Sequence, residues 1–259
     1  MLQLQRSDLF VVSKLASPFH KRQHVQQALR KTLADLRLDY LDLYLVHWPV
    51  AFRHVDIGPY LHVRGWDGNE DIDDSNSGQN IDPDVSLVET WEGMQEMVDL
   101  GLVRHIGLSN VPIALLHELL ASQPRIRPYL NQVELHPYLP QTNLVRYCQQ
   151  RGIAVQAYSP LGTPGYKEQD EPTLLDEPIL HTVAQRHEKT PAQVCLQWAL
   201  QRNTSVVVKS TSELHLEQNM RLDFTLTDQD LQDIATLHQR NHRFFRPNEW
   251  WGPIGAVFD

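Results

Sequence analysis

Tyr40-Leu-Asp-Leu-Tyr-Leu-Val46 reads as a β-strand apolar at nearly every position, and His47-Trp48-Pro49 closes it. A strand half in water alternates apolar and polar residues; one covered on both faces does not. The stretch before it, Val25–Leu38, has helical spacing, with Val25, Ala28, Leu29, Leu33 and Leu36 on one face. Working outward, five more short β-type runs occur: Leu9–Ser13, Val103–Leu108, Tyr129–Leu135, Ile153–Tyr158 and Ser205–Lys209. Between and after them lie helical patterns over Val85–Leu100, Ala114–Ser122, Asn143–Arg151, Ile179–Gln201 and Thr227–Arg240. Thr190-Pro191 places a cap before a proline at a first helical position, so Ile179–Gln201 is read as two helices. Single strands alternating with helices predict an α/β fold, a parallel sheet covered by helices. No internal repeat and no linker interrupts the pattern, so residues 1–259 read as one domain.

The bulk properties narrow the function classes. The 259 residues are 41% hydrophobic and 21% charged, ordinary for a soluble globular chain. A formal net charge of −9 argues against nucleic acid or an anionic membrane as the main partner. No apolar run approaches the ~20 residues that span a bilayer, and Met1-Leu-Gln-Leu-Gln-Arg6 does not read as a signal peptide. Cys148 and Cys195 sit in helix-like patterns and read as buried free thiols of a cytoplasmic protein. Between Trp66 and Asp84 stand seven acidic residues and no Lys or Arg. Asp73–Asp84 faintly resembles a calcium loop, but flanking helices are missing and a solvated loop is the reading.

In a parallel barrel, chemistry collects where the strands end. The residues closing the six runs are Ser13-Lys14, His47-Trp48, Ser109-Asn110, Gln132 with Glu134 and His136, Tyr158-Ser159, and Lys209-Ser210. Polar groups at six successive ends would be costly in a purely structural barrel. Each has two readings. Lys14 is a rim lysine reaching solvent, or a charge that lowers a neighbour's pKa. His47 is a satisfied core histidine, or a site residue. Tyr158 is a core aromatic, or a surface on which a ring stacks. Ser109 and Asn110 begin a turn before Pro112, or bind a ligand amide.

Taken in order, these segments resemble the aldo-keto reductase family, over essentially the whole chain. Leu9-Phe-Val-Val-Ser-Lys-Leu15, Leu41-Asp-Leu-Tyr-Leu-Val-His-Trp-Pro49 and Gly101-Leu-Val-Arg-His-Ile-Gly-Leu-Ser-Asn110 carry the resemblance. Asn131-Gln-Val-Glu-Leu-His-Pro-Tyr138, Ala157-Tyr-Ser-Pro-Leu-Gly162 and Val208-Lys-Ser210 follow in the family's order. Leu87-Val-Glu-Thr-Trp91 and Asn248–Asp259 lean towards the xylose-reductase-like branch. The resemblance implies a (β/α)8 TIM barrel and NAD(P)H-dependent reduction of a small aldehyde or ketone. In that scheme a tyrosine protonates the carbonyl oxygen, a lysine paired with an aspartate lowers the tyrosine's pKa, and a histidine orients the carbonyl. Lys14 and His47 match the lysine and the histidine. Ser109, Asn110 and Gln132 match residues holding the nicotinamide carboxamide, and Tyr158 the stacking residue. Ser159 and Leu161 match the start of a pyrophosphate loop, Lys209 and Ser210 the 2′-phosphate site, and Asn219 a position near the adenine. Trp48, with Phe244, Phe245, Trp250 and Trp251, matches the wall of the substrate pocket. No metal is implied, and a monomer or dimer is expected.

Three departures stand out. Thirteen residues precede Lys14 and none is tyrosine, so no residue matches the catalytic aspartate or tyrosine. Six strands are legible where a closed barrel has eight, the first two βα units being without counterpart. A start at an internal methionine, a truncated isoform and completion by another chain each account for this; the first is favoured, because Met1 falls at what would be a helix end. Second, His215 stands where an arginine usually helps to bind the 2′-phosphate, so NADPH is expected with weaker discrimination against NADH. Third, Ala16 stands where many relatives have tryptophan beside the substrate. The expected function is therefore carbonyl reduction, impaired in this chain. The alternative is a relative that binds the nicotinamide without turnover, as a sensor or partner subunit. A metal-dependent barrel hydrolase, suggested by thirteen histidines, fails because no histidine pair closes an early strand at ligand spacing.

Overall fold

A computed structural model describes residues 4–54, 81–164 and 171–251. Most of the acidic stretch, the part of the Asp73–Asp84 run before Ile81, and the tail after Trp251 lie outside them. The six strands are β1 (Val12–Leu15), β2 (Leu41–Val46), β3 (Val103–Ser109), β4 (Leu130–Glu134), β5 (Ala154–Tyr158) and β6 (Ser205–Val206). They form one sheet in the order of the sequence, and the pairs β1–β2, β2–β3 and β5–β6 are parallel. The chain divides into two compact units, one of residues 1–131 with 246–259 and one of residues 132–245. The division falls within β4.

In the first unit, β2 is buried at all six positions, as its unbroken apolar run predicts. Its one charge, Asp42, is 3% exposed and accepts from Val11 N at 2.9 Å. Arg6 at 2.8 Å and Arg104 at 3.1 Å complete its partners. Burial alone would raise the Asp42 pKa, but the Val11 N–H and the two guanidinium groups outweigh it and hold the carboxyl below its usual range. Helix α1 (Arg22–Leu36) buries Val25, Ala28, Leu29 and Leu33. Leu36, expected on that face, is 48% exposed, because the helix ends there and Arg37 turns left-handed at φ 55°. Against α1 lies α2 (Leu87–Asp99), capped by Ser86, which accepts from Glu89 N at 3.1 Å. Gly93 permits the approach: a Cβ there would stand 2.8 Å from the Val25 side chain. Helices α3 (Ile113–Ala121) and α9 (Pro247–Trp251) complete the unit.

The second unit contains α4 (Thr142–Gln149), α5 (Pro178–Arg186), α6 (Pro191–Gln201), α7 (Glu213–Met220) and α8 (Asp228–Ala235). The split at Thr190 is as the sequence predicts, and the cap is a full box: Gln193 N donates to Thr190 Oγ1 at 3.2 Å and Thr190 N to Gln193 Oε1 at 3.0 Å. The run expected as one helix to Arg240 is α8 followed by a 3-10 helix, Thr236–Arg240. The strand expected over Ser205–Lys209 keeps regular pairing only at Ser205 and Val206. Cys148 and Cys195 are free and buried.

Candidate active site

The site residues fall into two groups, one in each unit. In the first unit the parallel register decides which side chains share a face. Lys14 pairs with Leu45, and Leu45 with Gly107. Paired residues of parallel strands point to the same side, and so do residues two apart along a strand. His47 and Ser109, each two positions further on, therefore face the same way as Lys14, at the C-terminal ends of three adjacent strands. Gly107 is glycine for a spatial reason: a Cβ would lie 2.7 Å from both Leu130 O and the Leu45 side chain.

Burial shapes the chemistry of this cluster. It lowers the Lys14 pKa, since a desolvated ammonium is disfavoured. It also pushes the His47 pKa down to about 3, helped by the charge of Lys14 and by His20. The imidazole is thus neutral at pH 7, suited to hydrogen bonding rather than to delivering a proton. Backbone ties fix the ring's position: His47 N donates to Leu15 O at 3.1 Å, and Asn110 Nδ2 donates to His47 O at 3.0 Å. Asn110, at φ 60°, also reaches Ser109 Oγ at 3.2 Å. Asn131 holds the next residue, donating to Val111 O at 2.8 Å and accepting from Val111 N at 3.4 Å. Trp48 stacks loosely beside His47, with ring centroids 6.3 Å apart, and meets the Trp251 ring edge-on at 5.0 Å. With Val50, Ile81 and Phe52 the two tryptophans form an apolar cluster. Trp250 belongs to α9, but its side chain lies outside the described residues.

In the second unit, Gln132 is buried in β4 and donates to Gln156 Oε1 at 2.6 Å. Tyr158 ends β5; burial and the Glu134 carboxylate push its phenol well above its usual value, so it is neutral. Its ring meets Phe245 edge-on at 5.3 Å. Ser159 turns left-handed at φ 48°, and Gly162 N closes the turn on Ser159 O at 2.9 Å, with Leu161 between them. Two non-glycine residues with positive φ, Asn110 and Ser159, thus stand directly after strand ends, where such strain commonly serves a site. Further along, Lys209 is exposed just ahead of α7. Ser210 Oγ accepts from Ser212 N at 3.1 Å, and Ser212 Oγ caps the helix on His215 N at 3.4 Å. Asn219 is the penultimate residue of α7 and half-buried.

Three further buried polar residues lie outside the expected site set. His20 is 1% exposed, with Nε2 unpartnered among the described residues and a pKa pushed down to about 3 by burial. It lies on a proline-containing turn, where no periodicity marks a side chain as buried. Asn131 anchors the loop after β3. Glu134, noted in the sequence only as a strand-end polar group, is wholly buried and bonded to the segment 244–245.

Comparison with known proteins places the chain in a family. The model of the Aldo/keto reductase family matches residues 2–239. The NADPH-dependent aldose reductase GRE3 of Saccharomyces cerevisiae is 40% identical over 256 residues, covering 95% of this chain and 77% of that protein. The NAD(P)H-dependent D-xylose reductase I,II of Candida tropicalis is 39% identical, covering 95% of this chain and 76% of that protein. Among solved structures, the aldose reductase from Schistosoma japonicum superposes with a TM-score of 0.81 at 38% identity, covering 96% of this chain and 75% of that one.

Proposed function

The chain belongs to the aldo/keto reductase family, and from that premise we propose that its residues 1–259 serve one NAD(P)H-dependent reductase domain acting on a small aldehyde or ketone. The observation that carries the reading is the shared face of Lys14, His47 and Ser109 at three neighbouring strand ends. The residues present fit a nicotinamide dinucleotide. In the first unit, the buried Ser109 hydroxyl and the Asn110 amide suit a carboxamide. In the second, Gln132 offers a further amide, neutral Tyr158 a ring face, and the strained turn over Ser159 and Leu161 backbone suited to a pyrophosphate. Exposed Lys209 with Ser210, at the start of α7, suits a 2′-phosphate, and Asn219 lies further along the same helix. The bound cofactor would supply a hydride to the carbonyl carbon.

His47, neutral, would orient the carbonyl by hydrogen bonding. Lys14 would place a positive charge beside the developing oxyanion. Trp48 and the tail residues Trp250 and Trp251 would bound the substrate. A small carbonyl compound is then the partner, with neither nucleic acid nor membrane involved; no described helix is long and apolar enough to cross a bilayer. We place the protein in the cytoplasm as a monomer or dimer.

We further propose that these 259 residues, tested alone, turn over slowly. The oxygen needs a proton as the hydride arrives, and neither His47 nor Tyr44 is suited to give it. A histidine of pKa about 3 is protonated in only ~1 molecule in 10,000 at pH 7. Tyr44 is 1% exposed within β2, and burial raises its phenol further. The test is a pair of titrations on the purified chain. NADPH binding is followed by quenching of tryptophan fluorescence, and reduction of a simple aldehyde by NADPH absorbance. Binding with turnover at least ~100-fold below that of intact reductases is expected. Full turnover overturns the impairment; no binding overturns the cofactor reading.

A further inference from the structure

Glu134 is a wholly buried acid of the second unit. Its side chain and that of His136 are both 0% exposed. A carboxylate so placed is strongly disfavoured unless donors surround it. They do. Oε1 accepts from Phe244 N at 2.7 Å and lies 2.9 Å from His136 Nε2. Oε2 accepts from Phe245 N at 3.3 Å and faces Arg243 Nη1 at 3.7 Å. Glu134 and Phe244 are 110 positions apart in sequence, so one buried acid pins a late, irregular segment to the end of β4.

That segment touches two parts of the dinucleotide platform. Phe245 meets the Tyr158 ring edge-on at 5.3 Å, an interplanar angle of 84°. Phe244 packs its edge against His136 at 5.1 Å and covers Gly162, where a Cβ would fall 3.0 Å from the ring. Gly162 closes the turn that begins at Ser159. The acid bonds the backbone of residues 244 and 245, and its charge also bears on the Tyr158 phenol. An apolar residue of similar size could fill the space, but could not hold two adjacent N–H groups in a fixed direction.

We propose that Glu134 is a positioning residue: by bonding the backbone of Phe244 and Phe245, it sets the seat of the Tyr158 ring and the cover over the Ser159–Gly162 turn, and so tunes affinity for the nicotinamide dinucleotide. The proposal rests on the reductase reading for its consequence, not for its geometry. The experiment therefore has one arm without cofactor. The full chain is labelled with ring-13C tyrosine, Tyr158 is assigned through Tyr158→Phe, and its ring signal is followed in Glu134→Gln, Phe245→Ala and the double variant. Arg243→Ala, which loosens the same acid without removing it, serves if Glu134→Gln does not fold.

The Tyr158 signal is expected to move in Glu134→Gln, or in Arg243→Ala, in the direction that Phe245→Ala moves it, while the other tyrosines stay put. In the second arm, each single variant weakens NADPH binding about fivefold to tenfold, and the double variant by no more than the larger single effect, the mark of residues acting in series. An unmoved Tyr158 signal in a folded variant overturns the proposal, as do affinity losses that multiply. Should the unaltered chain bind no NADPH, the cofactor reading falls, and the Tyr158 signal still decides whether Glu134 positions the ring.

Discussion

Burial lowers the pKa of both His47 and Lys14. A lysine beside a neutral histidine keeps the histidine from taking a proton, and burial works in the same direction on both. This has a consequence for stability. His20 and His47 have folded pKa values of about 3, against 6.5 for the unfolded chain. Between those values the unfolded chain takes up protons that the folded chain refuses, so stability falls as pH drops below 6.5 and is unaffected well above it. His20→Asn is expected to flatten that loss in urea midpoints measured from pH 7 to pH 4.5; parallel curves for the two proteins would refute the assignment. Cofactor choice is a second residue-scale matter. Lys209→Met should weaken NADPH binding about tenfold and leave NADH binding unchanged, because only one cofactor carries the phosphate that a lysine pairs with. His215→Arg should strengthen NADPH binding alone. Paired titrations with the two cofactors read both. Lys14, His47 and Tyr158 were legible in the sequence because they close apolar runs. His20 was not, and Glu134 only as a strand-end polar group, since the bonds that mark it as buried come from residues 244 and 245, far along the chain.

Among the elements, caps and glycines carry the information that apolar periodicity lacks. Thr190 and Gln193 exchange two hydrogen bonds at the start of α6, a helix that buries seven consecutive residues from Gln193 to Ala199. Thr190→Ala should cost about 1 kcal/mol by loss of the cap. Gly107→Ala should cost more, about 1–3 kcal/mol, because its neighbour at 2.7 Å is the Leu130 carbonyl, which cannot swing aside as a side chain can. Chemical denaturation of both variants tests the order; a larger loss at Thr190 would contradict it. The α5–α6 break could be read from Thr190-Pro191 alone. Helix α7 escaped because it buries none of its residues: Leu214, Leu216 and Met220 are all exposed, so no stripe exists to detect. Its signal was the Ser212 cap. The run after Ser205 was read as strand from its valines, yet Val207 is 46% exposed and regular pairing with β5 stops at Val206. Composition alone does not reveal where a strand runs out of partner.

For the molecule as a whole, the order of the sheet leaves β1 and β6 as its first and last strands among the described residues. Leu9 and Phe10, leading into β1, are 48% and 58% exposed. Exposed apolar residues leading into an outermost strand invite contact with another copy. The 259-residue chain is expected to self-associate with rising concentration, and Phe10→Lys to suppress this, both followed by light scattering after gel filtration; a concentration-independent monomer would refute it. The parallel class and the count of six strands were readable from alternation. The Asp42 clamp has a practical side. Arg6 is bonded to Asp42 and to Tyr40 O at 2.9 Å, where β2 starts, whereas Lys14, His47 and Ser109 stand where their strands finish. An Arg6→Ala change would therefore loosen the start of β2 first and reach the three strand ends only along the strands themselves.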